Sequence, residues 1–285
     1  EVWAEAAELP QLHPQQLAAL QALNARMRLL PAPQGAWRQR YWDWRSNLTL
    51  LWGQNPQSEE RLRRYALKPL VLAFSDCKDC LFLDADSTPL QSPEMLGTGP
   101  FSLFWPDLWD PPRAELWGDW RHKAQESGQL LVHKDDETSQ ALLLAALFVA
   151  RPDVFLEPMY GKPGHLACGY GDKDSFLLAF RLLKVPFQLV QPLPAVLVDR
   201  AGRFVGLLQL DSDSRPLFMH TTWVKGQAGA LLRSGLQRCD FRSEEAARNL
   251  TCVAGPEGGS ASVPLDRMHC VPLKFRGRKR IMAAL

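Results

Sequence analysis

Two aspartates lie two positions apart, directly after a short apolar run, in the segment FLDADSTPL at residues 82–90. On an extended chain the side chains of residues i and i+2 point the same way, so Asp84 and Asp86 face one pocket. Such a pair can hold Mn²⁺ or Mg²⁺ against a diphosphate, because both ions prefer oxygen ligands. The first aspartate can instead attack a phosphate ester as a nucleophile. A pair of solvated loop aspartates is the third interpretation, and the motif alone does not decide.

A third metal ligand is available further along the chain. His220 ends the segment PLFMH, and Lys225 and Gly226 follow five and six residues later. A neutral imidazole suits Mn²⁺, and an ammonium group offsets phosphate charge as a point cation. Asp86 and His220 are therefore candidate metal ligands and Lys225–Gly226 candidate phosphate contacts, although a lone histidine is more often an ordinary core or surface residue.

Further polar residues can contact a sugar or a phosphate. Glu126 stands beside Ser127 and Gly128, whose missing side chain allows a close backbone approach, and its carboxylate can bind sugar hydroxyls. Asp172 and Asp174 can do the same for a donor or an acceptor, or they can simply favour the first turn of a helix. The catalytic candidates are therefore Asp174, Asp172 and Glu126.

Three more residues complete the candidate binding site. Lys68 precedes Pro69 and is either a second phosphate contact or a helix-terminal residue. Trp105 and Asp107, in the segment FWPD, can line the same cleft, and Trp105 can equally be a core residue. We assign Lys68, Trp105 and Asp107 to the nucleotide-sugar site together with Asp84 and Asp86.

The elements that must position these residues follow from apolar periodicity. The pattern predicts helices over residues 14–30, 56–75, 138–151 and 172–184, the last two opened by Thr138 or Ser139 and by Asp172. It predicts strands at 81–83, 99–107, 127–134 and 216–222, and a hairpin over 194–211 that turns at Ala201–Gly202. The part after Gly226 reads as loop-rich.

This alternation indicates α/β layering around a mostly parallel sheet. Ligands of such sheets bind at the carboxyl ends of the strands, where Asp84 and Asp86 fall. We expect one catalytic domain over residues 1–285. Residues 1–190 would form its nucleotide-sugar-binding part, and residues 191–285 its acceptor-side and C-terminal part.

Composition limits the class of protein. The 285 residues are 46% hydrophobic and 22% charged, which is ordinary for a folded domain, and the net charge of +2 gives no reason to expect nucleic acid as a partner. No apolar stretch is long enough for a membrane span. Cys77 and Cys80 lack the partners of a zinc site. Cys168, Cys239, Cys252 and Cys270 can pair in an oxidising compartment, where Asn47 and Asn249 would be glycosylation acceptors.

The motifs together resemble one family. The stretch RYALKPLVLAFSDCKDCLFLDADSTPLQSPEML, followed in order by FSLFWPDLW, QESGQLLVHK and GYGDKDSFLLAF, is similar to the fungal-type Golgi α-1,2/α-1,3-mannosyltransferases. The resemblance covers about residues 65–190. Ser87 stands where the family often has asparagine, and the usual aromatic residue after Leu96 is missing.

The resemblance implies a GT-A-type, Rossmann-like fold and transfer of mannose from GDP-mannose to a glycan acceptor, with retention of configuration. It implies that Asp86 binds Mn²⁺ or Mg²⁺ directly while Asp84 holds ribose or donor sugar, and that His220 and Lys225 form the His–Lys element that closes many retaining sites. It further implies a Golgi luminal enzyme. By the same comparison, Glu1–Trp3 belong to the second strand of the nucleotide-binding half, and we expect the first strand and a membrane anchor to lie outside this chain.

Three alternatives stay open at this point. A related retaining transferase could use a UDP-sugar. A haloacid-dehalogenase-type phosphatase would use Asp84 as nucleophile, with Lys134 and the acidic pair Asp172 and Asp174 in supporting roles. A glycan-binding protein of the same fold could be catalytically silent, although the intact Asp84, Asp86 and His220 argue against silence.

Overall fold

The computed structural model describes residues 2–5, 27–30, 65–92, 96, 99–109, 123–150, 172–221, 235–243, 245–247 and 265–273. The chain forms two compact units, Glu1–Arg63 and Arg64–Leu285. The predicted functional division after residue 190 stays a prediction. None of the described helices combines the length and the apolar character needed to cross a membrane.

In the first unit, β1 (Val2–Glu5) pairs in parallel with β2 (Met27–Leu30), and Val2 lies opposite Met27. The helix predicted over residues 14–30 is therefore wrong at its end. The four residues MRLL are too few to separate the helical from the extended period, and strand pairing decides between them. The earlier residues of that predicted helix lie outside the described part of the chain.

The described residues of the second unit contain three α-helices: α1 (Leu67–Phe74), α2 (Asp136–Ala150) and α3 (Ser175–Leu182). Each was expected, with differences at the ends. The α2 helix begins earlier than Thr138 or Ser139, because Asp135 Oδ1 accepts the Thr138 N–H at 2.7 Å and caps the helix start. Residues 56–64 of the helix predicted before Ser75 lie outside the described residues.

The start of α3 also differs from the prediction. Asp174, and not Asp172, precedes the first helical residue, and its φ of 61° lies in the left-handed region. Its carboxylate does not cap the helix, because Asp174 Oδ1 accepts the backbone N–H of Gln125 at 2.6 Å. The side chain at this helix terminus is thus used to tie α3 to a neighbouring strand.

The first sheet of this unit has the strand order β3-β6-β5-β7. Its strands are β3 (Asp79–Leu83), β5 (Ser102–Pro106), β6 (Gln125–His133) and β7 (Phe187–Leu189). The β6 strand is antiparallel to β3 and β5, whereas β5 and β7 are parallel. Consequently β3, β5 and β7 run in one direction, with β6 reversed between them.

The three helices bury their apolar faces against this four-stranded sheet. The cluster includes Leu72 of α1, Ala145 of α2 and Phe176 and Phe180 of α3, which meet Phe104 of β5. The Phe104 and Phe180 rings meet edge to face with centroids 5.0 Å apart. This core fixes α1 and α3 relative to the strands. Lys68 belongs to α1, and Asp174 directly precedes α3.

The pairing of β5 with β6 contains an irregularity. Phe104 lies opposite Leu130, but the next residue, Trp105, lies opposite Glu126. Residues 127–129 of β6 therefore bulge out of the ladder with β5. Bulges of this kind re-aim side chains and are over-represented near functional sites.

The second sheet has the order β12-β11-β8-β9-β10-β4. It consists of β4 (Ser87–Pro89), β8 (Ala195–Val198), β9 (Phe204–Leu210), β10 (Pro216–His220), β11 (Gln237–Phe241) and β12 (Met268–Pro272). All of its described pairings are antiparallel. The mixed α/β class and the hairpin at Ala201–Gly202 are confirmed.

The mostly parallel sheet that we expected is not confirmed. Antiparallel pairings predominate among the described strands, because consecutive strands such as β8, β9 and β10 are joined by short turns that only antiparallel neighbours allow. The loop-rich interpretation of the part after Gly226 is also wrong for β11 and β12. These two strands contain few large apolar residues, so their sequences carry little strand signal.

Two turns of the same design hold the β8-β9-β10 meander. In one, the carboxylate of Asp199 accepts the backbone N–H groups of Ala201 and Arg203 and the Arg203 Nε–H. In the other, Asp211 makes the equivalent contacts with Asp213 and Arg215. These bonds outweigh the effect of burial and keep the pKa of both carboxyl groups below its ordinary value. The two turns lie at the two ends of β9, and the second one leads directly into β10, which ends at His220.

The four described cysteines form two disulfides, Cys77–Cys80 and Cys239–Cys270. The pairing left open for Cys239 and Cys270 in an oxidising compartment is thus confirmed for these two. Cys168, Cys252, Asn47 and Asn249 lie outside the described residues. The Cys239–Cys270 bond joins β11 to β12, where the two residues are direct partners in the pairing.

We expect the combined substitution Cys239→Ser and Cys270→Ser to lower the free energy of unfolding by about 3 to 4 kcal/mol, because the bond closes a loop with a sequence separation of 31. The same loop-closure argument gives about 2 kcal/mol for Cys77→Ser with Cys80→Ser, whose separation is 3. Urea unfolding of the oxidised proteins measures both values. Equal losses in the two double variants would contradict the loop-closure account.

Candidate functional site

The turn that contains Asp84 and Asp86 carries the chain from one sheet to the other. The chain leaves the first sheet at Leu83, the end of β3, and enters the second sheet at Ser87, the start of β4. The Asp84 N–H donates to the Gly128 carbonyl oxygen at 2.8 Å, and the Thr221 N–H donates to the Asp86 carbonyl oxygen at 3.0 Å. The backbone of β6 and the end of β10 therefore fix both aspartates.

His220 reaches the same turn through strand pairing. It is the last residue of β10 and lies opposite Ser87 of β4, the residue after Asp86. One ligand atom each from Asp84, Asp86 and His220 lie within 4.8 Å of one another. The His220 Nε2 atom is 3.3 Å from Asp86 Oδ1. Residues separated by more than 130 positions thus form one cluster, as the interpretation of Asp86 and His220 requires.

The donor set fits a divalent cation. Two carboxylates and an imidazole nitrogen suit Mn²⁺, and the predominance of oxygen also permits Mg²⁺. Among the described residues of the site, five carboxylates surround two ammonium groups and one imidazole, namely Asp84, Asp86, Asp107, Glu126 and Asp172 around Lys68, Lys173 and His220. A bound cation would reduce this excess of negative charge.

Glu126 lies behind His220, on the side away from Asp86. Its Oε2 atom is 3.5 Å from His220 Nδ1, and its Oε1 atom accepts the Gly128 N–H at 2.9 Å. Burial alone would lower the pKa of His220, but the carboxylates of Glu126 and Asp86 outweigh it and raise that pKa to about 10. Glu126 itself is only 1% exposed. Its contacts are to protein groups, whereas we had interpreted it as a ligand of sugar hydroxyls.

Gly128 leaves the space that the His220 ring occupies. A Cβ atom at Gly128 would lie 2.8 Å from Cε1 and 2.9 Å from Nδ1 of His220. The close approach that the sequence predicted at Gly128 is therefore made by an imidazole of the protein itself. The bulged segment of β6 and the end of β10 meet at this contact.

Lys68 connects Asp84 to Asp172. Its Nζ atom is 2.6 Å from Asp172 Oδ2 and 3.1 Å from Asp84 Oδ2, and it donates to the Ser127 carbonyl oxygen at 2.8 Å. Burial opposes the charge of this lysine, but the two carboxylates prevail and raise its pKa above the ordinary value. Burial also raises the pKa of Asp84 in spite of Lys68. The ammonium group thus positions Asp84, whether or not it also meets a phosphate.

Lys173 is a site residue that the sequence analysis missed. Its Nζ atom is 2.6 Å from Asp107 Oδ2 and 3.6 Å from Glu126 Oε2. Burial would raise the pKa of Glu126, but Lys173 and then His220 outweigh it and hold that pKa well below its usual range. Burial raises the pKa of Asp107 in spite of Lys173. In the sequence, Lys173 was marked only by its position between the candidate residues Asp172 and Asp174 in the segment GDKD.

The other predicted residues lie around this cluster. Trp105 is completely buried, donates from Nε1 to the Leu210 carbonyl oxygen at 3.1 Å and packs edge to face on Phe218. This is the core position that the sequence left open for it. Asp172 accepts a hydrogen bond from the Ser127 hydroxyl at 2.9 Å. Asp174 is buried against the N–H of Gln125, the residue before Glu126. Lys225 and Gly226 lie outside the described residues.

Fold and site together define an α/β protein in which two carboxylates and a histidine that could hold a metal ion converge where the four-stranded and six-stranded sheets of the second unit meet. The chain is similar to the family described as "Mannosyltransferase putative", whose model matches residues 109–198. That range contains Glu126, Asp172, Lys173 and Asp174, and it ends before His220.

The chain is also similar to the alpha-1,2-mannosyltransferase MNN24 of Candida albicans, with 27% identity over 175 residues. This match covers 46% of the present chain and 24% of the length of that relative. The two matches confirm the resemblance to fungal-type mannosyltransferases and support a glycosyltransferase.

Proposed function

We propose that this chain is the catalytic part of a metal-dependent glycosyltransferase that moves mannose from GDP-mannose to a glycan acceptor with retention of configuration. The observation that carries the proposal is the convergence of Asp84, Asp86 and His220 within 4.8 Å. The similarity to mannosyltransferases supports the sugar and the reaction class. Retention rests on the resemblance stated above.

The residues of the site divide into three roles in this mechanism. Asp86 and His220 would hold the cation, Mn²⁺ or Mg²⁺, which when bound would supply Lewis-acid stabilisation of the negative charge on the departing nucleoside diphosphate. Asp84, fixed by Lys68, faces the ribose or the donor sugar. Asp172, which contacts both Lys68 and Ser127, is our candidate for contact with a sugar hydroxyl.

We further propose that the first sheet is part of a GT-A-type fold. Support comes from the common direction of β3, β5 and β7 and from the position of Asp84 directly after the carboxyl end of β3. Functional groups at that end of a strand are typical of α/β sheets that bind nucleotides. The single reversed strand, β6, supplies Glu126 and Gly128 to the site.

We place the activity in the secretory pathway, in the Golgi lumen. The Cys77–Cys80 and Cys239–Cys270 disulfides support an oxidising compartment, because such bonds are rare in the cytosol. The similarity to the Candida albicans mannosyltransferase supports the same assignment.

A donor screen tests the proposed function. We expect Mn²⁺-dependent release of GDP from GDP-mannose, faster with a mannoside acceptor, and an α-linked product whose anomeric configuration NMR reads directly. Release of UDP from UDP-sugars, without release of GDP from GDP-mannose, would show that the donor is a UDP-sugar. Inactivity with every sugar nucleotide, together with hydrolysis of phosphate esters, would reject the transferase mechanism in favour of a phosphatase.

A further inference from the structure

A row of groups of alternating charge extends from the core to the cation site. Asp107 contacts Lys173 at 2.6 Å, Lys173 contacts Glu126 at 3.6 Å, and Glu126 faces His220 at 3.5 Å. His220 in turn faces Asp86 at 3.3 Å with its other ring nitrogen. The carboxylates of Asp107 and Glu126 are each only 1% exposed. Among the described residues, these partners and backbone N–H groups offset the cost of burying the two carboxylates.

We propose that Glu126 is a positioning residue that orients His220 with Nε2 toward the cation, and that the Lys173–Asp107 pair holds Glu126 in place. The inference rests on the proposed function only in requiring a divalent cation at Asp86 and His220. It replaces our interpretation of Glu126 as a ligand of sugar hydroxyls.

The geometry favours orientation over substrate contact for two reasons. First, the two oxygens of Glu126 are already directed at protein groups, since Oε1 accepts the Gly128 N–H and Oε2 faces both His220 Nδ1 and Lys173 Nζ. Second, a histidine that binds a metal through one nitrogen carries its proton on the other. A carboxylate at that second nitrogen fixes the tautomer and the ring orientation.

The neighbouring residues allow one placement of the ring. Gly128 borders the imidazole so closely that a Cβ atom there would be 3.2 Å from Nε2. With Glu126 on the Nδ1 side and Asp86 on the Nε2 side, the ring has one nitrogen for the carboxylate of β6 and one for the cation. A merely structural ion pair would not need this assignment of the two nitrogens.

The test measures binding of Mn²⁺ alone, without nucleotide or acceptor, by calorimetry on the full chain. We expect Glu126→Gln to weaken Mn²⁺ binding about 10- to 100-fold, the usual cost of losing a partner of a metal-bound histidine. Lys173→Met should weaken it less, because Glu126 keeps its bond to Gly128. Asp240→Asn, which removes a carboxylate bonded to Arg238 on β11, is the matched control and should leave binding unchanged.

A spectroscopic measurement separates orientation from general stability. In ¹⁵N NMR of protein loaded with diamagnetic Zn²⁺, we expect metal at Nε2 and the proton at Nδ1 of His220 in the wild type, and a mixture of tautomers in Glu126→Ala. If Glu126→Gln unfolds, Glu126→Asp, which keeps a carboxylate beside Lys173 but shortens its reach to His220, should still show the loss of Mn²⁺ affinity.

The possible outcomes distinguish this inference from the proposed function. Wild-type Mn²⁺ affinity in Glu126→Gln, or metal at Nδ1 of His220, would overturn the inference alone. Loss of Mn²⁺ affinity in the variant, in a protein that transfers no sugar, would support the inference and reject the proposed activity. A wild-type protein that binds neither Mn²⁺ nor Zn²⁺ would overturn both.

Discussion

Replacing Asp86 with alanine is expected to lower the rate of metal-dependent sugar transfer by about two to three orders of magnitude. The substitution removes one direct ligand from the cation that stabilises the leaving diphosphate, a loss of a few kcal/mol of transition-state stabilisation. The fold should survive, because the Asp86 backbone keeps its hydrogen bond from Thr221 and the substitution reduces the excess of negative charge.

Calorimetry of GDP binding with and without Mn²⁺, beside initial rates, measures this effect. Asp79→Ala is the matched control, because Asp79 starts β3, the strand before the Asp84–Asp86 turn, and pairs with His133 outside the site. GDP binding that is independent of Mn²⁺ and unchanged in Asp86→Ala would reject the metal mechanism. Asp84→Asn then discriminates further, since in a phosphatase it would abolish ester hydrolysis and covalent trapping at Asp84.

Replacing Gly128 with alanine is expected to reduce Mn²⁺-dependent GDP binding about 10- to 100-fold, as strongly as removing the imidazole itself. The new methyl group would approach His220 Cε1 to 2.8 Å, closer than real Cβ contacts. The ring lies between Glu126 and Asp86, so it can make room only by giving up its position beside the cation. We use the size of the effect known for losing the hydrogen-bond partner of a metal-bound histidine, which weakens metal binding about 10- to 100-fold.

A double-mutant cycle with His220→Ala tests the cause. In the His220→Ala background the methyl group has no ring to displace, so Gly128→Ala should cost nothing further in Mn²⁺-dependent binding. Gly99→Ala is the control, because no atom lies within 4 Å of a Cβ placed there. Additive losses in the cycle would show that the alanine acts on the β6 backbone and not on His220.

Local patterns predicted the parts of the site that are contiguous in sequence. The apolar run before Asp84 predicted a strand ending at the acidic pair, and β3 ends at Leu83 as expected. The segment around His220 predicted a strand that ends in a polar residue, and β10 ends there. Hydrophobic periodicity and residue type suffice to predict such features, because each feature depends only on neighbours along the chain.

The contacts behind the ligands could not be predicted in this way. The position of Glu126 opposite Trp105 depends on the bulge in β6, and no local pattern marks where a bulge of this length falls. The place of Lys173 between Asp107 and Glu126 joins three segments that are distant in sequence. Likewise, β11 and β12 are extended because they pair with each other and are joined by the Cys239–Cys270 bond. Their own residue types did not predict strands.

The passage of the chain between the two sheets at Asp84–Asp86 has a mechanical consequence. The contact of Glu126 on β6 with His220 on β10 joins the sheets at the same point, so the connection between the two sheets coincides with the candidate cation site. Separation of the two sheets would remove the ion-pair partners of several buried charges at once. Conversely, disruption of the site would weaken the contact between the sheets. The packing of the two sheets and the geometry of the site are therefore expected to be lost together, as one cooperative unit.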